Sequence, residues 1–146
     1  MFREWLRTAE LMRWWGDPER EYSLLEEDLE NSDMTMLVVS YLGVPFAYAQ
    51  HYEVHNWPQP HLSGLPPGSR AIDAFIGVPE MLGVGHGSAF LRLLALGLKE
   101  AGVPAIAIDP DVENLRARRA YEKAGFSGDT VVDTEAGPAV LMLFAD

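Results

Sequence analysis

The 146-residue chain contains no cysteine, which excludes disulfides, thiolate metal sites and any covalent acyl-cysteine step. It also lacks the run of about 18 uninterrupted apolar residues that a membrane-spanning helix needs. Arg3, Glu4 and Arg7 interrupt the N-terminal segment before a signal-peptide core can form, so export is not expected and the reading is a cytoplasmic protein. Cations are scarce: 11 Lys plus Arg stand against 22 Asp plus Glu, a formal net charge of −11. Such a surface repels nucleic acid and anionic membranes and favours cationic partners, although acidity also serves solubility alone. The four histidines, His51, His55, His61 and His86, lack metal-ligand spacing. They read as loop or surface residues, and no metal is expected.

What is present fits one globular domain spanning 1–146, without repeats or low-complexity tracts. Phe2, Trp5, Leu6, Ala9 and Met12 or Arg13 fall near one stripe, predicting a helix over 2–14. Asp17-Pro18 starts a second helix, which ends near Asn31 or Ser32. Met36 to Val39 and Phe46 to Val54 alternate as strands around a turn at Leu42-Gly43, predicting an antiparallel hairpin. A proline- and aromatic-rich stretch, 55–68, is too broken for a helix and long for a structureless loop. Residues 70–77 and 105–108 read as strands, with an apolar helix over 89–101 between them. That unit predicts parallel strands joined by a right-handed crossover. A further helix over 112–124 stops at Gly125. Strands at 130–133 and 139–144 flank a turn at Gly137-Pro138. The order predicts an α/β domain with a mixed sheet.

Three features carry chemistry. In the first, Leu82-Gly83-Val84-Gly85-His86-Gly87-Ser88 lies between a strand and a helix, where free N–H groups and the helix dipole can hold a phosphate, or where the glycines serve a connection with no ligand. No Gly-Lys-Ser/Thr follows, so it is not a Walker A loop, and Ser88 replaces the third glycine of a dinucleotide fingerprint. In the second, Asn114, Ala117 and Tyr121 share one helical face about 10 Å long. An extended ligand arm could touch both polar residues; alternatively Asn114 caps the helix and Tyr121 packs in the core. In the third, Asp73 shares a strand face with Ala71 and Phe75, and a carboxylate on a covered strand needs a partner. Asp109 ends the next strand, where open sheets gather ligands. Asp109 could equally cap its own turn, and Asp73 could pair with an arginine. Two carboxylates on one cleft can hold an ammonium and accept its proton.

These segments together resemble the GCN5-related N-acetyltransferase (GNAT) superfamily. IDAFIG, LGVGHG, IDPDVENLRARRAYEKAGF and GPAVLM are most similar to its aminoglycoside 6′-N-acetyltransferases, over about Trp5 to Met142. The resemblance implies the GNAT fold, a mixed central sheet with helices on both faces, here with the family's first strand missing and a sheet edge exposed. It implies acetyl-CoA as cosubstrate, with the amides of Val84, Gly85, His86, Gly87 and Ser88 on its pyrophosphate and Asn114 on its pantetheine arm. That arm would lie in a splay between the strands of Asp73 and Asp109. Asp73 and Asp109 would bind the substrate amine, Asp73 acting as base, and Tyr121 would protonate the leaving thiolate. Trp14, Trp15 and Trp57 look like aromatic walls of the aminoglycoside site.

A backbone N–H such as that of Phe75 or Ile76 could stabilise the oxyanion. Arg116, Arg118 and Arg119 are either phosphate partners or a solvated helix face. The family loop often begins with Arg or Gln where Leu82 stands. With no cysteine, the expectation is direct transfer in a ternary complex, by a monomer or homodimer acting in antibiotic resistance on a cationic small-molecule amine. The alternatives are an acyltransferase of siderophore or polyamine biosynthesis, or a non-catalytic binder of aminoglycoside or CoA.

Overall fold

Six strands form one sheet in the order β1-β2-β3-β4-β6-β5. A computed structural model describes residues 1–145; residue 146, the last position of the expected domain, lies outside the described residues. The strands are β1 (Met34–Tyr41), β2 (Val44–Glu53), β3 (Arg70–Ile76), β4 (Ile106–Ile108), β5 (Phe126–Thr134) and β6 (Gly137–Phe144). Only β3 and β4 pair in parallel; the other neighbours are antiparallel. The helices are α1 (Phe2–Leu6), α2 (Ala9–Trp15), α3 (Pro18–Leu29), α4 (His86–Glu100) and α5 (Leu115–Ala124).

Strand alternation sends β3 side chains to two cores. Ile72 packs with Leu91 and Ala95 of α4, Ala124 of α5 and Phe126. Phe75, on the other face, packs with Tyr48 and with Trp5, Leu6 and Leu11 of the N-terminal helices. Helices therefore cover both faces, as expected. Gly77 sets how closely α1 approaches: a Cβ there would lie 2.0 Å from the Trp5 ring.

Several boundaries differ from the sequence reading, and four of them have a clear local reason. The helix expected over 2–14 breaks at Thr8, which is extended and whose Oγ1 donates to Trp5 O at 2.8 Å. The break lets Trp5 and Leu11 reach the same core. Helix α4 begins at His86 rather than Ala89, because Gly85 supplies a left-handed N-cap at φ +92°. Helix α5 begins at Leu115 rather than Val112. Asp111 Oδ1 accepts from Glu113 N, and Val112 N bonds Pro138 O, so this stretch runs beside β6 instead.

The last hairpin turns at Glu135-Ala136, not at Gly137-Pro138, since Thr134 pairs with Gly137 and Asp133 with Pro138. Pro138 is tolerated because its missing N–H falls on the side facing Pro110 and Val112, outside the β5 ladder. At the opposite margin, β1 carries no charged residue and leaves Val38 and Tyr41 exposed.

Candidate active site

Strands β3 and β4 part almost as soon as they meet. Their pairing is limited to Arg70 with Ile106 and Ala71 with Ala107. Arg70 N bonds Ala105 O and Gly77 N bonds Phe46 O, so even-numbered residues of β3 face β4 and odd-numbered ones face β2. Beyond Ala71, the main-chain groups of Ala74 and Ile76 consequently face an opening. Phe75 N–H does not; its residue pairs with Tyr48 across the β2 ladder. The expectation of Phe75 as a backbone donor to this opening is corrected by that register, while Ile76 stays in place.

On one side of the opening lies a cavity of about 580 Å³, lined by Gly85, Gly87, Ser88, Asn114 and Tyr121 among others. The first backward helical bond of α4 is Ala89 N to Gly85 O. The amides of His86, Gly87 and Ser88 are therefore first-turn donors without a helical acceptor, able to hold an anion. Val84 points away, 61% exposed, and the His86 ring packs on Tyr41 and Phe46. Neither residue lines the cavity, and of the two only His86 carries a first-turn amide. Arg116, Arg119 and Lys123 supply positive charge to the cavity wall against Glu10 alone. Arg118 is engaged elsewhere, donating to Val112 O at 2.9 Å. Lys123 was not singled out from the sequence, although it lies four residues after Arg119 on the same helix.

On the other side lies a cavity of about 430 Å³ that shares Trp14, Trp15, Phe75, Asn114 and Tyr121 with the first. Glu21, Asp28, Asp73, Asp109, Asp111 and Glu135 line it, and no Lys or Arg does. Among the described residues Asp73 pairs with an amide and not an arginine: Gln50 Nε2 donates to its Oδ2 at 3.0 Å, and Tyr48 OH donates to Gln50 Oε1 at 2.7 Å. Burial and then the neighbouring Asp109 charge push the Asp73 carboxyl up to about 7, despite the Gln50 bond. Burial also raises Asp109, opposed by His61, whose Nε2 lies 2.8 Å from Asp109 Oδ2. Burial raises Glu21 and Asp28 above the ordinary carboxyl value as well. Tyr121 is pushed well above the usual phenol range by burial and by Asp73 and Asp109. Its hydroxyl therefore keeps its proton at neutral pH and can donate it. Asn114 Oδ1 caps α5 by accepting from Ala117 N at 3.2 Å, so the helix-cap alternative holds while the residue still lines both cavities.

Residues 1–134 match the family described as Acetyltransferase (GNAT) domain. The chain belongs to the GNAT acetyltransferase family. Aminoglycoside N(6')-acetyltransferase type 1 of Klebsiella pneumoniae is 34% identical to it over 155 residues, covering 98% of this chain and 76% of that relative. Aminoglycoside acetyltransferase AAC(6')-Ib, solved with paromomycin and acetyl-CoA, superposes with a TM-score of 0.83 at 34% identity, over 97% of this chain and 84% of that one. The same enzyme with coenzyme A and kanamycin gives a TM-score of 0.82 over 97% and 85%.

In this GNAT acetyltransferase, Trp14 and Trp15 stand in the shared wall, Trp15 edge-on to Phe75 at 5.3 Å. Trp57 does not line either cavity. It packs behind Tyr52, ring centroids 5.6 Å apart, so the expectation that it forms a substrate wall is overturned. Tyr52 and Gln59 line the acidic cavity in its place, Gln59 Nε2 donating to Tyr52 OH at 2.7 Å.

The histidines are corrected too. His51 is buried on β2 and accepts from Arg70 Nε at Nδ1; burial and then the Arg70 charge lower it to about 4. The His61 side chain is 4% exposed. Of the four, only His55 is an exposed loop residue. Glu21 and Asp28 could have been found from their seven-residue spacing on α3, which puts them on one helical face. No group of three or more His, Cys, Asp or Glu among the described residues could hold a metal ion.

Proposed function

We propose that this GNAT acetyltransferase moves the acetyl group of acetyl-CoA to a primary amine of an aminoglycoside, the 6′-amine, by direct attack in a ternary complex. The observation that carries the reading is the opening between β3 and β4, which joins a donor-rich, cation-lined cavity to an all-acidic one. The names of the relatives supply the substrate class; the charge of the second cavity fits it, because an aminoglycoside is a polycation.

The residues present suit both ligands. First-turn amides of α4 and the Arg116, Arg119 and Lys123 charges would hold the phosphates, and Ala74 and Ile76 offer main-chain groups to an extended arm. Acetyl-CoA supplies the activated acyl group as a thioester. Asp109 holds the substrate ammonium, and Asp73 accepts its proton, directly or through water, so that the nitrogen lone pair becomes available. The new N–C bond forms at the carbonyl carbon, and an N–H facing the opening, at Ala74 or Ile76, stabilises the charge growing on the oxygen. As the C–S bond breaks, Tyr121 gives its proton to sulfur and is reprotonated through water by the second proton that the nitrogen sheds in becoming an amide, while Asp73 releases the first to solvent. Asp73, at about 7, is poised to exchange a proton near neutral pH. Trp14 and Trp15 flank the sugar rings.

Thiol release with acetyl-CoA and kanamycin or tobramycin tests the reading, with the product site located by mass spectrometry and NMR. The expected product is singly acetylated at the 6′-amine. Absence of turnover across a broad amine panel would overturn it.

A further inference from the structure

The two carboxylates at the opening are held by unlike partners. Asp73 receives a neutral amide N–H, and that amide is itself oriented by Tyr48. Asp109 meets an imidazole, His61, whose side chain is 4% exposed. The short helical turn Pro60–Leu62 carries it, with Leu62 buried against Tyr52, Ala71 and Ala107. Gln59, on the same turn, is tied to Tyr52 OH. An ionised carboxylate only accepts, so Nε2–H donates to Asp109 Oδ2. That contact stabilises the anion more than a neutral amide can, because an imidazole can carry charge.

We propose that His61 is a positioning residue that keeps Asp109 the anionic member of the Asp73–Asp109 pair, leaving Asp73 as the member that carries and exchanges the proton. The catalytic meaning of this division rests on the function proposed above; the division itself does not. Two other charges facing the pair push the same way, Asp28 and Glu21 raising Asp73, but neither stabilises the Asp109 anion. Glu21 and Asp28 from α3, Asp111 after β4 and Glu135 from the last turn are acidic, and Tyr52 from β2 and Tyr121 from α5 are phenols. All of these disfavour negative charge on either carboxylate or leave it unchanged. Each carboxylate has a side-chain partner of its own, Gln50 on Asp73 and His61 on Asp109, and only the second favours the anion on Asp109. The directions agree: Asp73 is driven up by burial and by the Asp109 charge, whereas the burial effect on Asp109 is opposed by His61. A substrate ammonium thus finds a permanent anion beside a separate proton acceptor.

The test is a carboxyl ¹³C titration of the whole free protein labelled in aspartate, with the two signals assigned by Asp73→Asn and Asp109→Asn. In the wild type, Asp73 titrates at higher pH than Asp109. In His61→Leu the Asp109 midpoint rises and the gap narrows or reverses; His61→Gln, which keeps an N–H donor, retains more of the gap. A wild-type protein in which Asp109 titrates above Asp73 would sink the proposal, whether or not the Leu variant folds. So would unmoved midpoints in His61→Leu.

The acid limb of kcat/KM provides a second readout. Productive binding needs both carboxylates ionised, so in His61→Leu the limb moves to higher pH. Activity falls several-fold near about pH 6.5 and recovers near about pH 9. If no aminoglycoside is acetylated at all, the proposed function fails while the titration still decides this point.

Discussion

The two cavities that meet at the parted strands are built by opposite means. The larger one works mainly through main chain: first-turn amides of α4, a left-handed glycine and the unpaired edge of β3. The acidic one works through side chains drawn from α3, β3, the end of β4 and the β5–β6 turn. A backbone site needs local conformation and little else, so it is compact in sequence and rigid. A side-chain site needs distant segments brought together, and it bears the electrostatic cost of holding like charges close. Burial raises the carboxyls of Asp73, Asp109, Glu21 and Asp28, and Asp73 is raised further by its cavity neighbours Asp109, Asp28 and Glu21; it shows how that cost becomes useful, because a disfavoured charge is a ready proton acceptor.

The sharpest way to break this contrast is at the shared wall. Tyr121→Phe and Asp73→Asn are each expected to lower kcat by ~10²–10⁴-fold with little change in either KM. Steady-state kinetics giving a wild-type rate would remove the residue from the chemistry.

Asp73→Asn should at the same time stabilise the fold. Folded, Asp73 keeps its proton to about 7; unfolded, it loses it near 3.8. Between those values the unfolded chain binds fewer protons, so stability falls as pH rises through that window. The Asn variant is then more stable than wild type by about 1–3 kcal/mol at pH 8, and the gain shrinks towards pH 4. Denaturant melts at the two pH values check this.

Changes confined to one cavity should separate the two ligands. Gly85→Val forces a β-branched residue into φ +92° with no steric contact to confuse the result. It should raise the acetyl-CoA KM about tenfold, from ~1–2 kcal/mol of backbone strain, and leave the amine KM alone. The double variant Glu21→Gln/Asp28→Asn should do the reverse, raising the amine KM about threefold at low salt and flattening its salt dependence. Smallest of all, Trp57→Leu should change the amine KM by less than about twofold, whereas Trp15→Ala exceeds that. Equal effects would return Trp57 to the substrate wall.

The same contrast explains which parts were legible. The glycine turn, the Asn114 cap and the polar face carrying Tyr121 are local patterns, and the structure places them on one cavity. The conspicuous carboxylate on β3 was legible because a charge on a covered strand breaks alternation. His61 was not: nothing in a proline-rich stretch shows that its ring turns inward to a carboxylate 48 residues away. Trp57 misled for the same reason, since aromatic character does not reveal which side of Tyr52 it occupies. The start of α5 was misplaced because Val112 joins β6 through a long-range bond that competes with helix formation.

Element types, the mixed sheet, the glycine turn and the strongly negative charge were thus determined by the amino-acid order alone, since each depends on neighbours within a few residues or on composition. Tertiary structure decided where β3 and β4 separate, which amides face that gap, and how six carboxylates come to share one cavity. Those outcomes depend on register and on packing between distant segments, and local periodicity carries no information about either.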